Sequence, residues 1–115
     1  MTGNPLVDPE IEVTPERTRE LLDRDEAVVV DVREPYEREA GHIEGTRHIE
    51  LERLASNAET LPRDRPIVFH CRLGARSALA ARAFRSAGYD AWSMRGGIQL
   101  WHDRDLPMTG EVADH

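Results

Sequence analysis

The chain contains no lysine: all 15 of its lysine-plus-arginine positions are arginine. Without a lysine amine there is no Schiff-base nucleophile and no phosphate-binding lysine of the P-loop kind. Cysteine is nearly missing too. The lone Cys71 rules out an internal disulfide and a cysteine-rich metal centre. The histidines (His42, His48, His70, His102 and His115) include no pair at i,i+3 or i,i+4 spacing, so no metal site is expected. Positive charge is scarce against 22 acidic residues, and the net charge is −7. Non-specific nucleic-acid binding needs a basic surface, so nucleic acid is not an expected partner. Purely apolar runs are no longer than Ala27 to Val30, far short of the ~20 residues that cross a bilayer, and no membrane partner is expected. Met1 to Glu10 carries neither a basic cluster nor an apolar stretch. No secretory leader is expected there, and the cytoplasm is the expected location.

What remains is an ordinary globular composition, with 115 residues of which 39% are hydrophobic. That length suits one domain of the common ~100–150-residue size. Residues 1–10, with Pro5 and Pro9, read as a flexible N-terminal arm. Residues 11–108 read as the domain and 109–115 as a polar C-terminal tail.

The domain reads as alternating strands and helices. Ile11 to Val13 alternates and predicts a short strand. Thr14-Pro15-Glu16 predicts a helix start, with Thr14 as N-cap and Pro15 at the first helical position. Ala27 to Val32 is nearly continuous and β-branched, the pattern of a strand buried on both faces. Glu34 to Ala40 predicts a short helix opened by Pro35, and Gly41 and Gly45 punctuate a loop. Arg47 to Ile49 predicts a strand, and Leu51 to Ser56 a short helix. Pro66 to His70 predicts a second buried strand. Arg76 to Ala87 predicts the strongest helix, with Leu79, Ala80, Ala83, Phe84 and Ala87 on its inner face and Gly88 as its stop. Ala91 to Met94 predicts a last strand, followed by Gly96-Gly97 and a helical turn from Ile98 to His102. Such alternation implies an α/β fold with a mostly parallel sheet.

One segment carries chemistry. It is the connection from strand to helix, Cys71-Arg72-Leu73-Gly74-Ala75-Arg76-Ser77. Ligands of parallel sheets bind beyond the carboxyl ends of strands, where Cys71 falls. A short loop curling into a helix aims successive backbone N–H groups inward and makes an anion site. Gly74 permits a tight turn by adopting positive φ. Arg72 and Arg76 add positive charge on two sides. All of this favours thiolate over thiol, and the same donors suit an anionic substrate. Nucleophile and substrate cradle become one object.

Four motifs in order resemble the single-domain rhodaneses, thiosulfate sulfurtransferases. They are Asp31-Val32-Arg33-Glu34, Gly41-His42-Ile43-Glu44-Gly45, the Cys71-to-Ser77 loop, and Arg95-Gly96-Gly97 followed by Trp101. The similarity runs from about Ile11 to Met108. Glu50 stands where that family usually has proline, and Met94 where it usually has leucine. The resemblance implies a three-layer α/β/α fold around a mostly parallel five-stranded sheet. It implies a sulfurtransferase without a cofactor or a metal, its partners a small anionic sulfur donor and a thiol or sulfur-acceptor protein. The four-residue spacer between Cys71 and Arg76 matches the sulfurtransferase loop. The related phosphatases and arsenate reductases have one residue more.

In that reading Cys71 is the catalytic nucleophile. Its thiolate takes the outer sulfur of thiosulfate as a persulfide and hands it to an acceptor. Arg72, Leu73, Gly74, Ala75, Arg76 and Ser77 form the substrate-binding loop. Arg76 either contacts substrate or only orders that loop, and Ser77 is read as the N-cap of the helix. Asp31 is a supporting residue that hydrogen-bonds the loop or pairs with an arginine. Arg33 and Glu34 are expected to form a local ion pair, His42 to brace its turn, and Trp92 and Trp101 to pack in the core or at its rim. Arg95 is a candidate source of positive field near the loop. A sulfur-carrier module with little thiosulfate turnover of its own is the alternative.

Overall fold

The computed structural model describes residues 9–113; most of the expected N-terminal arm lies outside the described residues. A 3-10 turn at Pro9–Ile11 leads into strand β1 (Glu12–Val13). Helix α1 (Pro15–Asp23) begins where the Thr14 side chain accepts a hydrogen bond from the Arg17 N–H at 3.0 Å. Strand β2 (Val28–Asp31), helix α2 (Pro35–Ala40) and the two short strands β3 (Gly41–His42) and β4 (Arg47–His48) follow. Two 3-10 turns, Leu51–Arg53 and Ala55–Thr60, replace the single short helix expected there. Strand β5 (Ile67–His70), helix α3 (Ala75–Ser86), strand β6 (Ala91–Met94), helix α4 (Gly97–Asp103) and strand β7 (Thr109–Gly110) complete the chain.

The main sheet has five strands in the order β1-β6-β5-β2-β4, and every pairing in it is parallel. The two middle strands, β5 and β2, are the apolar runs recognised in the sequence. Successive side chains of a strand face opposite sides, so a strand in the centre of a three-layer fold buries both faces, and β2 and β5 are apolar up to Asp31 and His70 at their carboxyl ends. Val30, Ile67 and Phe69 accordingly join Ala78, Ala81 and Phe84 of α3 in one core cluster. Val29 and Val68 join Leu21 of α1 and Ile98 and Trp101 of α4 in the other. The fold is α/β with helices on both faces of a parallel sheet.

β3 and β7 form a separate antiparallel pair, Gly41 opposite Gly110 and His42 opposite Thr109. Gly41, expected only to punctuate a loop, therefore lies in a strand. The stretch read as a polar tail is tied to the domain at its start, and Val112 packs against the second core cluster. A Cβ on Gly41 would stand 2.3 Å from the Glu111 carbonyl oxygen, so only glycine lets the two backbones approach. Among the described residues no helix is long and apolar enough to cross a membrane.

Candidate active site

Cys71 directly follows β5, at the carboxyl end of the central strand, and is buried. Its sulfur is surrounded by donors. The Gly74 N–H donates to Sγ at 3.0 Å and the Ser77 N–H at 3.4 Å. The Ser77 hydroxyl lies 3.5 Å from Sγ. Gly74 makes this possible with φ of 116°, a left-handed conformation that closes the loop onto the sulfur. Gly74, not Ser77, occupies the N-cap of α3. Ser77 sits in the first turn, where its hydroxyl bonds the Gly74 carbonyl at 3.2 Å and the Ser93 hydroxyl at 2.8 Å. Ser77 thereby anchors the loop to β6.

Cys71, Arg72, Leu73, Ala75 and Arg76 line a hollow of about 170 Å³. The first amides of a helix have no intrahelical acceptor, and α3 starts at Ala75. The Ala75 and Arg76 amides, in residues that line the hollow, thus have no helical partner. Arg72 carries a buried Nε with no hydrogen-bond partner among the described residues. An unsatisfied guanidinium donor on the residue next to Cys71 suits an anion.

Arg76 is engaged elsewhere. Its Nη1 and Nη2 donate to Glu37 Oε1 and Oε2 at 2.8 and 3.0 Å. Glu37 is buried, and it also accepts the Glu34 N–H at 2.9 Å. Burial pushes the Glu37 carboxyl up, but the Arg76 fork and the Glu34 amide outweigh it and hold the group below its ordinary value. The Glu37 carboxylate in turn raises the pKa of Arg76. Glu37 was missed in the sequence because 39 positions separate it from Arg76, and an acid in a helix's first turn has an ordinary local explanation.

Asp31 makes no hydrogen bond to the loop among the described residues. It is buried and held by Arg33 Nε and Nη2 at 2.8 and 2.9 Å and by Arg38 Nη1 at 3.2 Å. Burial raises the Asp31 carboxyl, but the Arg33 guanidinium bonded to both of its oxygens prevails, and it lies well below the usual carboxylate range. The ion pair expected between Arg33 and Glu34 does not form. Arg33 turns inward and is fully buried, also bonding the Gly41 carbonyl at 2.8 Å. His70, next to Cys71, is fully buried as well. Burial lowers its pKa, which keeps the ring neutral; its Nδ1 faces the Cys71 carbonyl at 3.4 Å.

The late glycine pair has a structural purpose. The amides of Ile98 and Gln99, at the start of α4, donate to the carbonyls of Cys71 and Arg72 at 2.8 and 3.0 Å. A Cβ on Gly97 would stand 2.3 Å from the Arg72 carbonyl oxygen, and Gly97 has φ of +62°. α4 thus clamps the back of the loop. Trp101 is buried in the core, while Trp92 lies under the Arg85 guanidinium at 4.4 Å. Arg95 pairs with Glu12 at 3.1 Å, so its charge is compensated at β1. His42 bonds Thr109 across the small sheet at 3.1 Å. The carboxylates of Glu34, Glu50 and Glu52 approach one another within 4.8 Å, but none belongs to the loop.

Residues 14–104 match the family model of the rhodanese-like domain. The chain is 38% identical over 90 residues to the thiosulfate sulfurtransferase GlpE of Pseudomonas aeruginosa, an alignment covering 77% of this chain and 81% of that one. It is 38% identical over 99 residues to the probable adenylyltransferase/sulfurtransferase MoeZ of Mycobacterium tuberculosis, covering 83% of this chain but 25% of that protein. The crystal structure of a rhodanese-related protein from Thermoplasma volcanium superposes with a TM-score of 0.79 at 29% identity, covering 87% of this chain and 98% of that one.

Proposed function

Because this chain belongs to the rhodanese-like family, we propose that it is a thiosulfate sulfurtransferase working through a persulfide on Cys71. The observation that carries the reading is the sulfur itself, held by the Gly74 and Ser77 amides at the start of α3. Donors placed in this way stabilise negative charge on sulfur before any substrate arrives.

The Cys71 thiolate attacks the outer sulfur of thiosulfate. The sulfur–sulfur bond of the donor breaks, and its electron pair leaves with sulfite. The transferred sulfur, now bonded to Sγ, occupies the hollow lined by Ala75 and Arg76. Arg72, which lines the hollow, supplies the positive charge that would hold the donor's oxyanion. Arg76, gripped by Glu37, fixes the loop against α2 and adds a partly compensated charge. An acceptor nucleophile then attacks the outer sulfur, and Sγ leaves as thiolate. Neither half needs a cofactor. The two steps never require donor and acceptor together, so the kinetics are ping-pong.

The test is thiocyanate formation from thiosulfate and cyanide by wild type and Cys71→Ser, with mass spectrometry of the thiosulfate-treated protein. Wild type should turn over and gain the mass of one sulfur atom, and the variant should do neither. Turnover that survives Cys71→Ser overturns the nucleophile. A stable one-sulfur adduct with little turnover favours the sulfur carrier.

A further inference from the structure

Among the described residues, the large hydrophobic side chains left strongly exposed are Tyr36 at 52%, Leu73 at 58% and Leu79 at 58%. Exposed apolar residues scattered singly carry no meaning, whereas a grouped set marks a contact surface. These three are grouped around the Cys71 hollow. Leu73 is part of its lining. Leu79 stands one helical turn beyond Ala75, another lining residue, and i,i+4 positions share a helix face. Tyr36 directly precedes Glu37, whose carboxylate holds the lining residue Arg76 at 2.8 Å.

The apolar surface continues along α3. Ala75, Leu79, Ala83 and Ala87 are all exposed at i,i+4 spacing. Ala83 and Ala87 also line an apolar groove against Ala58 and Tyr89. From Ala75 to Ala87 the stripe extends about 18 Å at 1.5 Å per residue. A small dianion gains nothing from such a strip, but a macromolecule does. The charge beside it is positive: Arg72 lines the hollow, and its Nε has no partner among the described residues. The chain as a whole carries −7, so a positive charge at the hollow runs against its overall balance.

We propose that Tyr36, Leu73 and Leu79 form the docking rim for a partner protein that presents a cysteine on a protruding loop flanked by apolar and acidic residues. The proposal rests on the sulfurtransferase reading and names its acceptor. The partner's apolar side chains cover the rim, its acid meets Arg72, and its thiolate reaches the persulfide. That thiolate attacks the outer sulfur of the Cys71 persulfide. One sulfur–sulfur bond forms on the partner as the bond to Sγ breaks. The electron pair returns to Cys71 as thiolate, so no oxidant or reductant is consumed.

Two synthetic pentapeptides with a central cysteine serve as probes, one flanked by leucine and aspartate, the other by serine and lysine. Persulfide-loaded wild type should transfer sulfur to the first at least ~10-fold faster than to the second, the size of preference that a few rim contacts and one charge pair supply. The double variant Tyr36→Ser, Leu79→Ser should reduce that preference to about twofold or less, while thiosulfate–cyanide turnover and transfer to free cysteine stay unchanged. Equal rates for the two peptides, or a preference that persists in the double variant, overturns the docking proposal alone. A wild type that takes up no sulfur from thiosulfate overturns the sulfurtransferase reading and the docking rim with it.

Discussion

The two loop arginines look equivalent in the sequence and are not. Arg76 spends both terminal nitrogens on Glu37, while Arg72 lines the hollow and has a guanidinium nitrogen with no partner among the described residues. Arg72→Ala should therefore raise the thiosulfate KM about tenfold, the worth of one hydrogen bond to a charged group. Arg76→Ala should act first on the fold. It strips a buried carboxylate of its partner, and since the Arg76 side chain is 34% exposed the loss is about 2 kcal/mol rather than the larger cost of a fully buried pair. Steady-state kinetics beside urea denaturation of both variants separates the roles. A tenfold KM increase confined to Arg76→Ala would reverse the assignment.

Between elements, the decisive contact is α4 against the loop. Gly97→Ala forces a Cβ into the Arg72 carbonyl and strains a positive φ. It should cost about 1–3 kcal/mol and lower kcat, because the loop loses the amides that hold it. Gly88→Ala is the comparison. Its φ is +93°, but the nearest atom is the end of the Arg63 side chain at 3.2 Å. It should lose similar stability and keep its kcat. Equal kcat in both variants would show that the clamp does not serve catalysis.

Elements carried by local chemistry were readable in advance. Thr14-Pro15 opens α1, the β-branched run makes β2, and Gly88 follows the end of α3 with φ of +93°. Elements that depend on distant partners were not. β3 and β7 are two residues each, too short to show a period, and their pairing joins stretches 67 positions apart. Leu79, Ala83 and Ala87 were assigned to one face of α3 with Ala80 and Phe84, yet all three are exposed and the buried set is Ser77, Ala78, Ala80, Ala81 and Phe84. Small alanines allow close approach to the sheet and rotate the larger leucine outward. Ser77 looked like an N-cap because serine favours that position, but a left-handed glycine caps this helix without a side chain. Arg33 looked like the neighbour of Glu34, and only the fold shows it turning back to Asp31. The tight loop with its left-handed glycine and the parallel sheet were legible in the residue types; the charges that organise the loop were not.

For the molecule as a whole, the buried titratable groups act in one direction. His70 is neutral when folded because burial lowers its pKa. Below the ordinary histidine value of ~6.5 the unfolded chain binds a proton that the folded chain refuses, and stability falls with pH. Asp31 and Glu37 have lowered carboxyl values. Their contribution is complete above the ordinary range near ~4 and is lost as pH falls through it toward their folded values. The urea midpoint should therefore decline in two stages on acidification, the first beginning near pH ~6.5 and the second below ~4.5. His70→Gln should remove the first stage and leave the second. A wild-type midpoint that stays constant from pH 7 to 5 would contradict this assignment.

The order in which the chain leaves the ribosome gives the α4 contact a further meaning. Cys71 and its curled loop are synthesised well before Ile98 and Gln99, whose amides hold the loop's carbonyls. A nascent or truncated chain ending before Gly97 bears its reactive sulfur on a loop without a backstop. The contact that holds the loop is made only with the final stretch of synthesis, so incomplete products carry the thiol on a loop that nothing pins from behind.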